Sequence, residues 1–134
     1  MIALDTNVIV RFLVQDDPAQ GRQAQTLMAG LTTDAPGFLC CEVMVELVWV
    51  LERAYRFSRA EIAAAVEGLL EAAEVHIETA DRVGLAINRY RAGGPGFADQ
   101  MILLAATAQG CRTLVTFDLA LAASPGGSLP ERGQ

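Results

Sequence analysis

The sequence predicts an α/β fold of three layers, in which helices cover both faces of a mainly parallel central sheet and one helical pair protrudes. Short apolar segments of strand length alternate with longer segments of helical periodicity along the chain. Capping residues and Pro/Gly breakers separate these segments. The 134 residues are 52% apolar, which is enough for one core. We therefore expect a single domain over residues 1–134, with a loose tail from about residue 124 to residue 134.

The beginning of the chain predicts two strands and two helices. Residues 1–4 form a short apolar strand that turns into a helix over residues 5–13. Asp17 and Pro18 provide an N-cap and a proline at the first helical position for the second helix. A second strand is expected at residues 38–40, directly after a Pro-Gly breaker.

The middle of the chain predicts the helical pair and a third strand. Residues 41–56 are too long for a strand and contain no breaker, so they indicate a helix. Ser58 and Glu61 have the spacing of a capping box that opens the next helix. Residues 75–78 alternate as a strand does, and another helix begins at Asp81.

The last part of the chain begins with the Gly-Gly-Pro-Gly breaker at residues 93–96. It leads into a helix over residues 97–109 that is apolar almost all round, so this helix is expected to be central and buried. Residues 113–117 predict a fourth strand.

Composition excludes several classes of protein. A net charge of -6 disfavours a protein that holds nucleic acid by bulk electrostatics, although a basic rim around an acidic pocket is compatible with it. All ten basic residues are arginine, which excludes P-loop and Schiff-base lysine chemistry. Three cysteines fit neither a disulfide framework nor a paired zinc site, so we expect a cytoplasmic protein. No apolar stretch is long enough to cross a membrane, and no signal peptide is expected.

Four carboxylates lie inside or beside apolar segments: Asp5, Glu46, Asp99 and Asp118. Asp5 and Asp118 follow strands, and sites in parallel sheets collect beyond the carboxyl ends of strands. Glu46 and Asp99 can approach the same edge from helices. Carboxylates that lie so near each other repel, and a divalent cation bound between them offsets the repulsion. An all-oxygen site of this kind suits Mg²⁺ or Mn²⁺, which handle phosphates.

A second interpretation stays open for each of these acids. The three aspartates could cap helices or close turns, which is a common use of aspartate at such positions. Glu46 lies in mid-helix, where no cap is needed. It could pair with an arginine, or lie on an exposed stripe with Glu42 and Arg53.

The four acids occur in four short motifs, and at these residues the chain resembles the PIN-domain family, most closely the VapC-like ribonuclease toxins of toxin–antitoxin pairs. The motifs are Leu4-Asp5-Thr6-Asn7, Glu46-Leu47, Phe97-Ala98-Asp99 and Thr116-Phe117-Asp118. The resemblance spans nearly the whole chain and implies a three-layer PIN-like fold, a Mg²⁺- or Mn²⁺-dependent endoribonuclease activity, an RNA substrate, a cognate antitoxin and a homodimer. Members of the family often carry a further acid shortly before the third motif, where this chain has Gly93-Gly94-Pro95-Gly96.

The residues themselves indicate a role for each position of such a site. Asp5 and Asp99 would hold the principal metal ion, while Glu46 and Asp118 would bind a second ion or orient water. Three polar residues would hydrogen-bond the ligands or metal waters: Thr6, Asn7 and Thr116. Local capping is an equally open role for the first two of these. Four arginines are the candidates for phosphate contacts: Arg11, Arg53, Arg56 and Arg59.

Two other functions compete with a nuclease. A phosphatase with Asp5 as nucleophile is disfavoured, because Asn7 stands where such enzymes carry a second acid and because lysine is absent. The other alternative is a non-catalytic binding or dimerisation domain of the same fold, with the acids acting as caps.

Overall fold

The computed structural model describes residues 1–132, and the chain divides into two compact units, Met1–Asp81 and Arg82–Gln134. The elements follow one another in this order: β1 (Ile2–Ala3), α1 (Thr6–Val14), α2 (Pro18–Ala29), β2 (Gly37–Leu39), α3 (Cys41–Arg53), α4 (Arg59–Glu71), β3 (Val75–Ile77), α5 (Ala80–Ala92), α6 (Phe97–Ala108), β4 (Leu114–Val115), α7 (Leu119–Ala122) and β5 (Gly127–Ser128).

The first unit contains a three-stranded parallel sheet of order β1-β2-β3. Ala3 pairs with Phe38, and Phe38 pairs with His76. Because each strand is followed by a helix, the carboxyl ends of all three strands lead into helices α1, α3 and α5. The largest fully buried side chains of this unit come from one strand and three helices: Ile9, Leu39, Met44, Leu47, Val48, Leu51, Ile62 and Val66. These residues form the apolar interior that holds α1, α3 and α4 in place.

The predicted helix starts of the first unit are confirmed by hydrogen bonds. Asp17 accepts a bond from the backbone N–H of Gln20 at 2.9 Å, with Pro18 at the first helical position. Ser58 and Glu61 form both bonds of the capping box, at 3.1 and 2.9 Å. The two consecutive helices α3 and α4 are therefore present as predicted, although α3 ends at Arg53 rather than at residue 56.

The second unit contains most of α5 together with α6, α7 and a two-stranded parallel sheet of β4 and β5. Val83, Ala86, Ile87 and Tyr90 of α5 are buried on one face, and the rings of Tyr90 and Phe97 meet edge to face at 6.3 Å. The helix α6 corrects one expectation. It buries one face only, and Ile102 on the other face is 52% exposed.

The strand β5 lies within the segment that was predicted to be a loose tail. Leu114 pairs with Gly127 and Val115 with Ser128, so backbone hydrogen bonds hold a segment in which the sequence shows no strand pattern. The last two positions of the predicted tail, 133 and 134, lie outside the described residues.

The α/β class and the parallel pairing are confirmed: every strand pair within residues 1–132 is parallel. None of the helices in this range is long and apolar enough to span a bilayer.

Candidate active site

Asp5 follows β1 at the carboxyl end of its strand, as predicted, and is the N-cap of α1. Its Oδ1 accepts a hydrogen bond of 2.7 Å from the backbone N–H of Thr6. The capping interpretation of Asp5 is therefore correct. It does not compete with a site role, because a carboxylate has two oxygens and about four acceptor positions. The side chain is exposed, so solvent and ligands can reach it.

Glu46 lies in the middle of α3 and is exposed. Its apolar sequence neighbours are distributed around the helix, so that Met44, Leu47 and Val48 are buried while Glu46 faces outward. Glu46 therefore lies on an exposed stripe of α3 with Glu42 and Arg53, as one interpretation of the sequence expected, and an exposed carboxylate can also bind a ligand. On an α-helix, apolar neighbours in sequence need not be neighbours on one face.

Asp5 and Glu46 line the same cavity, although 40 positions lie between them in the sequence. The cavity has a volume of about 280 Å³ and lies within the first unit. Its walls come from α1 and the residue before it, and from α3 and the two residues after it: Asp5, Thr6, Asn7, Val10, Arg11, Glu46, Val50, Ala54 and Tyr55. The fold thus brings together two of the four predicted acids and both polar residues that follow Asp5.

Thr6 carries a buried polar atom in this cavity. The residue is 4% exposed, and its Oγ1 has no hydrogen-bond partner among the described residues 1–132. Buried hydroxyls are normally paired, because leaving one unpaired costs about 1–3 kcal/mol. Asp5 and Glu46 line the same cavity as Thr6, and carboxylate oxygens are the ligands that Mg²⁺ and Mn²⁺ prefer in proteins. The side chains of this cavity are therefore compatible with such a cation.

Arg11 forms one wall of the cavity and is held by a network of polar contacts. Its Nη1 is 3.1 Å from Asp16 Oδ1 and 3.4 Å from Tyr55 Oη, and its Nε donates to Gln20 Oε1 at 2.7 Å. Tyr55 in turn donates to Asp16 Oδ2 at 2.8 Å. The guanidinium is therefore fixed on three sides at the edge of the acidic cavity.

The network shifts the pKa values of its members in consistent directions. The hydrogen bond from Tyr55, and then the charge of Arg11, lower the pKa of Asp16 below its usual value. The same hydrogen bond to Asp16 raises the pKa of the Tyr55 hydroxyl, and the contact with Tyr55 raises the pKa of Arg11. At neutral pH the network therefore consists of a charged pair bridged by a neutral phenol.

Asp16 and Tyr55 were not predicted as site residues. They lie 39 positions apart and join the end of α1 to the end of α3. Neither residue is in a motif, and only the packing of α1 against α3 shows that they meet.

In the second unit, Asp99 lies in the first turn of α6 and is half-buried. The N-cap of this helix is Gly96, which has no side chain, so Asp99 is not the cap that one interpretation of the sequence assigned to it. A carboxylate in the first turn is stabilised by the positive end of the helix dipole.

Asp118 is the N-cap of the short helix α7 and accepts a hydrogen bond of 2.9 Å from the backbone N–H of Leu121. Thr116 Oγ1 accepts a bond of 3.0 Å from the backbone N–H of Asp118. Both side chains therefore shape the turn that follows β4, so the capping interpretation of Asp118 is correct.

The other candidate arginines lie around the end of α3. Arg53 lies over the ring of Trp49, with its guanidinium carbon 5.8 Å from the ring centroid. Arg56 adopts a positive φ of 54° in the connection to α4, and Arg59 is the first residue of α4. Within residues 1–132, no group of three or more His, Cys, Asp or Glu side chains is placed to hold a metal ion.

Comparison with known proteins identifies the family. The model of the PIN domain family matches residues 2–125, which is nearly the whole chain, so the chain belongs to the PIN domain family. The search of curated proteins found no match. Among solved structures, the chain is similar to Mycobacterium tuberculosis VapC20, a sarcin–ricin loop cleaving toxin, with 21% identity, a TM-score of 0.46, and coverage of 96% of this chain and 98% of that chain.

Proposed function

We propose that this protein is a metal-dependent endoribonuclease, the toxin component of a toxin–antitoxin pair, and that it hydrolyses RNA phosphodiesters. Membership in the PIN domain family and the four acidic motifs support the proposal. The observation that carries it is that Asp5 and Glu46, which are distant in sequence, line one cavity together with Thr6, whose buried hydroxyl has no hydrogen-bond partner within residues 1–132. A cognate antitoxin, a homodimer and a cytoplasmic location belong to the same proposal; the antitoxin is supported by the family, and the location by three cysteines that fit no disulfide framework.

Asp5 and Glu46 would hold Mg²⁺ or Mn²⁺, with Thr6 and Asn7 as hydrogen-bond partners of the water bound to it. A divalent cation at this point supplies an activated water and offsets charge on the phosphate. Asp99 and Asp118 would act as further ligands of the metal or of its water, and Thr116 as a hydrogen-bond partner. The support for these three roles comes from the sequence motifs. Arg11 is fixed at the edge of the cavity and would orient a phosphate with a guanidinium that needs little further ordering.

In this proposal three further arginines contact phosphates along the RNA: Arg53, Arg56 and Arg59. All ten basic residues of the chain are arginine, which suits that task because guanidinium groups bind phosphates through two parallel hydrogen bonds. The net charge of -6 implies that RNA binding should depend on the cation, which offsets the acidic cavity.

The alternative of a non-catalytic domain has support from two hydrogen bonds, because Asp5 and Asp118 do cap helices. Glu46 separates the two functions. It caps nothing, and its exposed position in mid-helix gives it no structural task that Gln could not perform.

The decisive experiment is cleavage of a mixed RNA pool with Mg²⁺, Mn²⁺ or EDTA, mapped to individual phosphodiester bonds. We expect cleavage with either metal and none with EDTA. Glu46→Gln and Asp99→Asn should each lower the cleavage rate by roughly 100-fold or more while leaving the unfolding transition in place.

The matched control is Glu42→Gln, the same change at another exposed glutamate of α3, one turn before Glu46 and outside the cavity. Its activity should stay within about twofold of the unchanged protein. Full activity of Glu46→Gln and Asp99→Asn, or equal cleavage in EDTA, would refute the proposed site.

A further inference from the structure

Trp49 is the only tryptophan of the chain, and 58% of its surface is exposed. A single exposed apolar residue is ordinary on a protein surface. Trp49 is unusual because a guanidinium accompanies it: Arg53 lies over the indole, 5.8 Å from the ring centroid. The two residues therefore form an exposed aromatic ring with a cation beside it, which we call the Trp49–Arg53 platform.

The platform lies next to the candidate active site on the same helix. Residues three and four positions apart share one face of an α-helix, so Glu46, Trp49 and Arg53 form one row along α3. Glu46 and Val50, which line the cavity of about 280 Å³, stand on either side of Trp49 in the sequence. A group that contacts Trp49 is thus one helical turn from the Glu46 carboxylate.

The surroundings of Trp49 indicate what kind of group it contacts. One turn from Trp49 on α3 lie the half-buried Val45 and the exposed Glu46 before the indole, and the exposed Glu52 and Arg53 after it, so three of these four neighbours are charged. A protein-docking helix face would carry several apolar anchors at this spacing. A lone aromatic ring between charges, with an arginine to neutralise a phosphate, matches the surfaces that hold unpaired nucleotides by stacking.

We propose that the Trp49–Arg53 platform stacks an unpaired base of the RNA beside the cleaved bond, with Arg53 contacting the adjoining phosphate. This inference rests on the proposed ribonuclease function and names two residues that would hold the substrate beside the cleaved bond. In duplex RNA the bases are stacked on one another and their faces are closed to a protein side chain.

The single tryptophan makes a direct test possible, because all indole fluorescence comes from Trp49. The protein is titrated in Mg²⁺ with a ten-nucleotide oligoadenylate, with an abasic ribose-phosphate decamer of equal charge, and with an adenine–uracil duplex. We expect the oligoadenylate to quench the fluorescence and to bind roughly 5- to 150-fold more tightly than the abasic decamer. The duplex should leave the fluorescence unchanged.

Variants separate stacking from a structural effect. Binding of labelled oligoadenylate, measured by anisotropy, should weaken at least about fivefold in Trp49→Leu and clearly less in Trp49→Phe, which keeps an aromatic ring. The KM for a looped RNA should rise in the same order while kcat changes little. Leu85→Ala removes a comparably exposed apolar side chain from α5 and is the control that should change neither quantity.

Several results would overturn the inference: no binding of oligoadenylate, equal quenching by the abasic decamer, or equal affinities of Trp49→Leu and Trp49→Phe. A fluorescence change that depends on protein concentration without RNA would assign the platform to a protein contact and would also overturn it. Failure of the ribonuclease proposal can be told apart from failure of the platform. In that case the fluorescence would still be quenched in a base-dependent manner, but no RNA would be cleaved. Cleavage that is indifferent to Trp49 would refute the platform alone.

Discussion

Replacing Thr6 with valine should make the metal-free protein more stable. Thr6 is 4% exposed, and its Oγ1 has no hydrogen-bond partner within residues 1–132. Valine has nearly the same shape, with a methyl group in place of the hydroxyl. A buried unpaired hydroxyl costs about 1–3 kcal/mol, so its removal should raise the free energy of unfolding by about 1–2 kcal/mol. For a chain of this length, that corresponds to an increase in Tm of about 3–8 °C.

The same change should weaken the response to metal. Urea and thermal unfolding are measured for both proteins, first in EDTA and then at increasing Mg²⁺. If the Thr6 hydroxyl bonds to the water around a bound cation, Mg²⁺ should stabilise the unchanged protein more than Thr6→Val. A cation at 100 times its Kd stabilises a protein by about 2.7 kcal/mol, which sets the largest difference expected at that concentration. The cleavage rate of Thr6→Val should fall together with its affinity for Mg²⁺.

Thr26→Val is the control, because it makes the same change at an exposed helical threonine of α2 in the same unit. Its stability should change by less than about 0.5 kcal/mol in either buffer. The reasoning fails if Thr6→Val is less stable than the unchanged protein in EDTA. It also fails if, in EDTA, the free energy of unfolding rises no more in Thr6→Val than in Thr26→Val.

Two further predictions concern the fold. The hydrogen bonds from Ser58 lower the pKa of Glu61 below its ordinary value of 4.5, so the carboxylate stabilises the protein above that pH and loses this effect as the pH falls through the lowered pKa. The stability advantage of the unchanged protein over Glu61→Gln, measured by urea unfolding, should therefore be present at pH 7 and disappear as the pH falls through the lowered pKa; a constant difference would contradict the capping box. Gly127→Ala would place a Cβ against the backbone oxygen of Leu121 and should cost about 1–3 kcal/mol. Gly84→Ala in α5, where the Cβ meets open space, should instead be neutral or stabilising, and equal thermal shifts for the two variants would contradict the packing of β5.

Local signals in the sequence were sufficient to predict most elements of the fold. Asp17-Pro18 and the Ser58–Glu61 capping box act within one helical turn, so their effect depends little on the rest of the chain. The strand β5 was missed because its two residues, Gly127 and Ser128, have no strand preference of their own. Their pairing with Leu114 and Val115 is a contact between distant parts of the chain.

The four acidic motifs, and with them the PIN domain family, were also evident from the sequence, since their order and spacing are properties of the chain itself. The orientation of Glu46 was not. The sequence left open whether Glu46 pairs with an arginine or lies on an exposed stripe, and the packing of α3 turns Met44, Leu47 and Val48 inward and Glu46 toward the solvent.

Only the tertiary structure decided which side chains meet in the first unit. It placed Glu46 and Asp5 in the walls of one cavity, buried the hydroxyl of Thr6 with no partner within residues 1–132, and joined Asp16 to Tyr55. The physical reason is that capping and periodicity act over a few residues, whereas a cavity forms where α1 packs against α3, and that packing depends on apolar side chains spread over the whole unit.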